Sequence, residues 1–194
     1  MKAILSISIM LAGASAFAQS IPSAAIQIQT AVLSVPADKR ADATVLGYNE
    51  KGDFVELRKG SNEMICLADD PKIEGLNVAG YHKDLEPFMK RGRDLRASGK
   101  TAKEASDMRD EEVKSGRLPM PKQPASLYVY TAAAADYNAA TGSVKDGYLR
   151  YVIYVPYATA ASTGLPTKPD VAGMPWLMDA GSHRAHIMIS PAKN

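Results

Sequence analysis

The chain reads as an α+β protein: an antiparallel β-sheet of about five to seven strands, with one packed amphipathic helix and one peripheral polar helix. Three observations predict this. Runs of β-branched and aromatic residues recur between glycine, asparagine and aspartate turn signals, the strongest being Tyr148-Leu-Arg-Tyr-Val-Ile-Tyr-Val155. Two helix signatures stand side by side mid-chain, Asp84 to Gly99 and Thr101 to Gly116. The regular strand–helix alternation of a parallel sheet is missing.

The elements follow in order. Residues 1–18 read as a signal peptide: Lys2 supplies the positive charge, Ala3 to Ala14 the apolar run, and Ala16-Phe17-Ala18 a small-x-small signal for cleavage after Ala18. The run is too short to span a bilayer, so no membrane span is expected after cleavage. Residues 19–194 are then expected to form a single α+β domain, periplasmic or secreted. Ile21, Ala25, Ile28 and Val32 recur at helical spacing up to Pro36 and predict a short amphipathic helix. An extended arm is the alternative, because β-branched residues are frequent there.

Thr44 to Tyr48 and Phe54 to Leu57 flank a Gly-containing loop, and Lys59-Gly-Ser-Asn62 turns into Met64 to Leu67, which predicts a three-stranded antiparallel meander. Leu76 to Tyr81 is a further short strand. In the first central helix Asp84 is the expected N-cap, Pro87 falls in the first turn, and Leu85, Phe88, Met89 and Gly92 keep one face. The second helix opens with the capping box Thr101-Ala-Lys-Glu104 and is mostly polar, which places it on the surface. Leu118 to Pro124, with three prolines, is a loop. Leu127 to Tyr130 and Tyr148 to Val155 are strands, the latter with Tyr148, Arg150, Val152 and Tyr154 on one face. Pro156 to Gly173 is a long loop, and Ile187-Met188-Ile189 reads as a buried strand.

Charge narrows the function classes. Lys and Arg number 23 against 21 Asp and Glu, and Lys2 leaves with the leader, so the remaining chain is close to neutral. That argues against a nucleic-acid partner, which calls for a basic surface. The one cysteine, Cys66, can form no internal disulfide, and its apolar neighbours predict a buried, inert thiol.

The polar chemistry gathers at Met174 to Ser190, which holds the single tryptophan, a turn signal and two of three histidines. Tyr154, Tyr157, Asp179 and Arg184 are the candidate ligand-binding residues, with Asp179 placed to bond His183 or Arg184 across Gly181-Ser182. His82, Glu86, His183 and His186 are candidate metal ligands, with zinc or copper as the cofactor they would suit. His183 and His186 converge only if His183 sits in the turn, since in one strand they point to opposite faces. Ala160-Ala-Ser-Thr-Gly164 resembles half of a nucleophile elbow around Ser162, but its first glycine is replaced and no helix signal follows.

Leu57-Arg-Lys-Gly-Ser-Asn62, Cys66-Leu-Ala-Asp-Asp-Pro71, Tyr81-His-Lys-Asp-Leu-Glu-Pro87 and His183-Arg-Ala-His186 together resemble a family of secreted bacterial proteins of unknown function. The resemblance covers most of the chain after the leader and implies no activity. It implies a second cysteine near Gly80 in relatives, able to pair with the one at Cys66; this chain lacks it. The expected function is that of an exported, non-enzymatic binding module for an unidentified small molecule or envelope component. The alternative is a metal-dependent or hydrolytic enzyme using His82, His183 and His186.

Overall fold

The structure is a computed structural model and describes residues 21–193. The expected leader and its cleavage point after Ala18 lie outside them.

The chain enters through α1 (Ala24–Ala31), capped by the Ser23 hydroxyl. The apolar spacing located this helix, and Ile28 and Val32 of that stripe do pack against the core, but the fully buried positions lie beside them. Its buried residues are Gln27, Thr30 and Ala31, followed by Ser34 and Val35. Gln27 explains this. Its Oε1 accepts the Tyr48 backbone N–H at 2.8 Å, and its Nε2 donates to the Tyr48 and Pro22 carbonyls, each at 2.8 Å. Tyr48 ends β1 (Thr44–Tyr48), and the Gln27 amide stands in for a missing strand neighbour there. Thr30 and Ser34 return their hydroxyls to helix carbonyls, so the buried polar face is satisfied.

Next come β2 (Phe54–Arg58), β3 (Met64–Leu67) and β4 (Leu76–His82). They do not form the expected antiparallel meander. β3 lies on the far side of β1 from β2 and runs parallel to it. The reason is the link after β2, which is tied beneath the start of β1. Gly60 N donates to Thr44 Oγ1 at 3.1 Å, and Ser61 N and Asn62 N both donate to the Asp42 carbonyl. Only glycine fits at position 60, because a Cβ there would run into the backbone of residues 42–44. Crossing at this point delivers the chain to the other edge of β1.

The helices follow: α2 (Glu86–Ala97) and α3 (Ala102–Lys114). A 3-10 turn precedes α2, and the His82 ring, rather than Asp84, supplies the cap by accepting the Asp84 N–H at 3.3 Å. Pro87 sits in the first turn, and Gly99 closes the helix at φ +85. The capping box of α3 forms as expected. However, α3 is less peripheral than its composition suggests. Ala105 and Val113 are buried, and Arg91 of α2 makes a bidentate pair with Glu112.

The remaining strands are β5 (Ala125–Ala132), the short hairpin β6 (Tyr137–Asn138) and β7 (Ser143–Val144), β8 (Tyr148–Tyr154), β9 (Trp176–Met178) and β10 (His186–Ile189), with the one-turn helix α4 (Ala160–Thr163) before β9. The main sheet has eight strands in the order β2-β1-β3-β4-β5-β8-β10-β9, antiparallel except for β1–β3. The strand beyond the expected range is β9, three residues long, which is defined by pairing with β10 rather than by any alternation of its own.

Side-chain alternation assigns the faces. Val45, Met64 and Cys66 meet α1, while Ile65, Leu67, Tyr81, Leu127 and Tyr154 meet α2. Phe88 of α2, Val113 of α3 and Leu118 close a third cluster. α1 and the 3-10 turn after it pack chiefly on the β1–β5 half of the sheet. Ile187 and Ile189 point to the α1 side beyond that reach and are half-buried, whereas Ala185 and His186 are buried. Among the described residues no helix is long and apolar enough to cross a membrane.

The role of Gln27 is testable. Gln27→Ala leaves a half-buried strand end unpaired and should lower the urea-unfolding free energy by about 1–3 kcal/mol. Gln29→Ala, exposed on the same helix, should change it by under about 0.5 kcal/mol.

Candidate functional site

Pairing of β10 with β8 sets His186 opposite Tyr154, and the rings stack at 5.3 Å and 27°. The turn joining β9 to β10 is built locally: Asp179 adopts φ +53, and its carbonyl accepts from both Ser182 N and Ser182 Oγ. That geometry lets Arg184 pair with Asp179 at 2.9 Å and donate to Ser106 Oγ at 3.0 Å. His186 Nδ1 lies 2.7 Å from the Arg184 carbonyl, so this nitrogen carries the proton.

His183 does sit in the turn. It is 5% exposed, and its Nδ1 is 3.0 Å from Asp110 Oδ1. Asp110 also takes Lys114 Nζ, its strongest partner, and the Lys114 cation, with a smaller contribution from the His183 contact, holds its carboxyl below the usual range. The imidazole meets Phe88 edge-on at 5.7 Å, and Nε2 is buried with no hydrogen-bond partner. Burial holds the His183 pKa below its ordinary value; Asp110 opposes this, and Arg184 and Arg109 reinforce it. Neutral His183 therefore donates from Nδ1 and presents a bare Nε2. Above Phe88, the Arg109 guanidinium stacks at 4.3 Å from the ring centre, in the space left by Gly92.

Five of the expected residues, Tyr154, Asp179, His183, Arg184 and His186, thus share one corner. His82 and Glu86 do not join them. His82 caps the turn before α2, and the Glu86 carboxylate is held by Arg93 at 2.6 Å and by the Tyr81 hydroxyl at 2.6 Å. Among the described residues no three His, Cys, Asp or Glu side chains are placed to hold a metal ion. Ser162 Oγ is engaged in the capping box of α4, bonded to Thr159. Cys66 is fully buried, and burial pushes its thiol up to about 11. It lies opposite Gly80, where a Cβ would sit 3.4 Å from its sulfur but would also collide with Val35.

Ser106, Arg109, Asp110 and Val113 had no place in the expected site, yet they form its far wall. Their i, i+3, i+4 and i+7 spacing marks a single face of α3, and that periodicity was available in the sequence.

Beside this corner the sheet splits. β5 and β8 pair from Thr131 and Tyr148 as far as Ala125 and Tyr154, and beyond that point Pro124 and Pro156 have no N–H to continue the ladder. On the β10 side the chain stays tied: Val155 N and Tyr157 N donate to the Ala185 and Ser182 carbonyls at 2.9 and 2.8 Å. An open groove of about 660 Å³ remains, lined chiefly by Val113, Leu118, Met120, Lys122, Val155 and Tyr157. Tyr157 is 58% exposed and held at φ +66, a conformation that bulky residues rarely adopt. The other tyrosines of β8 are used elsewhere: Tyr148 donates to the Pro191 carbonyl, and Tyr151 packs edge-on against Tyr128 on the α1 side.

A second, small pocket lies by α1, lined by Gln27, Thr30, Asp69 and Tyr137. Burial pushes the Asp69 carboxyl up to about 6, although the Asn77 N–H bonded to it at 2.8 Å pulls the other way. The signs of the two shifted groups differ. Folded Asp69 holds its proton more tightly than the unfolded chain, so its contribution is full below about pH 4 and is lost as pH rises through 6. Folded His183 holds its proton less tightly, so its contribution is present above the ordinary pKa of 6.5 and is lost as pH falls below it. Asp69→Asn should therefore raise stability at pH 7 by about 1 kcal/mol, discounted for its solvent exposure, and flatten the decline between pH 4 and 6. Thermal unfolding across pH 4–8 checks this, and an unchanged profile overturns it. The chain matches no known protein family, no curated protein and no solved structure.

Proposed function

We propose that the protein is an exported, non-enzymatic binding module that takes a small molecule or envelope component into the groove between residues 118–124 and 155–158. The observation that carries this reading is Tyr157. An aromatic ring left exposed on a backbone conformation that disfavours it costs stability, and such strain concentrates where a ligand is met. The groove beside it is of the size small-molecule sites have and is walled mostly by apolar side chains. The nearly neutral chain and the expected leader support an exported protein that recognises its ligand by shape and apolar contact.

A hydrolytic reading draws on the Asp110–His183 pair, which orients an imidazole as a general base requires. It is the weaker one, because Nε2 is buried and bonds no serine, threonine or cysteine. A metal-dependent reading would be supported by stoichiometric zinc or copper in protein isolated from its native source.

Nile red, an uncharged apolar dye, tests the binding reading. Tyr157→Gly relieves the backbone and should leave the melting temperature unchanged or raised, while weakening dye binding several-fold. Tyr151→Ala, on the α1 side of the sheet, should leave dye binding unchanged. Equal dye binding by native protein and Tyr157→Gly sinks the groove as the site.

A further inference from the structure

We infer that the groove takes a long-chain carboxylate, a single acyl chain with one anionic head, as a free monomer; this rests on the groove being the binding site. The first argument is hydrogen bonding. Four lining residues, Pro119, Pro121, Pro124 and Pro156, have no N–H. The N–H groups of Gly116, Leu118, Val155, Tyr157 and Ala158 are already given to Val113, Glu112, Ala185, Ser182 and Val155 carbonyls. The N–H groups of Met120, Lys122 and Gln123 are not so engaged among the described residues, so backbone donors face the groove from one wall only, and an extended peptide would find none along residues 155–158 for its carbonyls, which is costly away from water. An acyl chain makes no such demand.

The second argument is shape and apolarity. Val113, Leu118, Met120 and Val155 supply aliphatic wall, and the Tyr157 ring stands at the rim. Methionine adapts to a flexible chain better than a branched side chain does.

The third argument is charge. Lys122 is the one charged residue among those lining the groove, it is exposed, and it makes no ion pair among the described residues. No carboxylate lines the groove. Gln123, beside Lys122, adds a neutral donor. A single lysine is a compact point charge suited to one carboxylate, whereas phosphate sites favour the forked guanidinium or a nest of backbone N–H groups.

The test titrates 11-(dansylamino)undecanoic acid into the full chain as purified, with Nile red run in parallel. The expected result is saturable binding, displacement by laurate, and no displacement by dodecyltrimethylammonium. Lys122→Glu should weaken the acid about tenfold while leaving Nile red binding intact, and Lys122→Arg should restore most of it. If Nile red binds through Tyr157 but the acid fails to bind, or binds equally to Lys122→Glu, or yields to the cationic amphiphile, the ligand class is overturned and the groove reading stands. If neither probe binds, both fall. Co-sedimentation with phosphatidylglycerol vesicles without binding of the monomeric acid also overturns the proposal, in favour of a membrane surface.

Discussion

Phe88 is the point at which the helices, the sheet and the C-terminal turn meet. It is buried, with Tyr154 of the sheet at 6.4 Å, His183 of the turn at 5.7 Å, and the Arg109 guanidinium at 4.3 Å. Val113 and Leu118 complete its surroundings. An aromatic ring in this position is both apolar filler and an electrostatic partner: its face attracts the cation of Arg109, and burial around it keeps His183 neutral. Remove the ring and the polar corner loses the floor that fixes where His183 and Arg109 stand.

Polar groups hold this protein in places where apolar contacts ordinarily do. Gln27 completes a strand end, Asn62 and the Asp42 carbonyl steer the link that makes β1 and β3 parallel, and Asp110 fixes His183. Each bond is directional, so each sets a register or an orientation that apolar burial alone would leave open. The cost appears in the two strained or shifted groups left over, Tyr157 at φ +66 and the half-buried Asp69 carboxyl. Neither contributes to the core, and both border cavities.

The groove and the polar corner are products of a single event, the end of β5–β8 pairing. Two prolines just outside the paired ends of β5 and β8 stop the ladder, and the segment after β8 stays bonded on its other side to Ala185 and to the turn that carries His183 and Arg184. Splitting the sheet thus opens one surface and orders another. Tyr157 stands between them, its N–H bonded to the turn and its ring at the groove.

Local chemistry was legible in the chain itself. The Thr101–Glu104 capping box, Pro87 in a first helical turn, Gly99 at a helix end, the alternation along β8 and the burial of Cys66 all follow from interactions within a few residues or from a residue's own apolarity. The Asp179–Arg184 bond was legible for the same reason, since five residues and a turn bring the two together. What the tertiary structure alone decided are the long-range choices. β3 passing to the far side of β1, β9 existing at all, His82 and Glu86 taking partners away from the other histidines, and Arg184 finding Ser106 across 78 residues leave no periodicity to read. Helix and strand signals arise from backbone sterics and nearest neighbours, whereas these pairings depend on which distant donors and acceptors remain unsatisfied once the layers have packed.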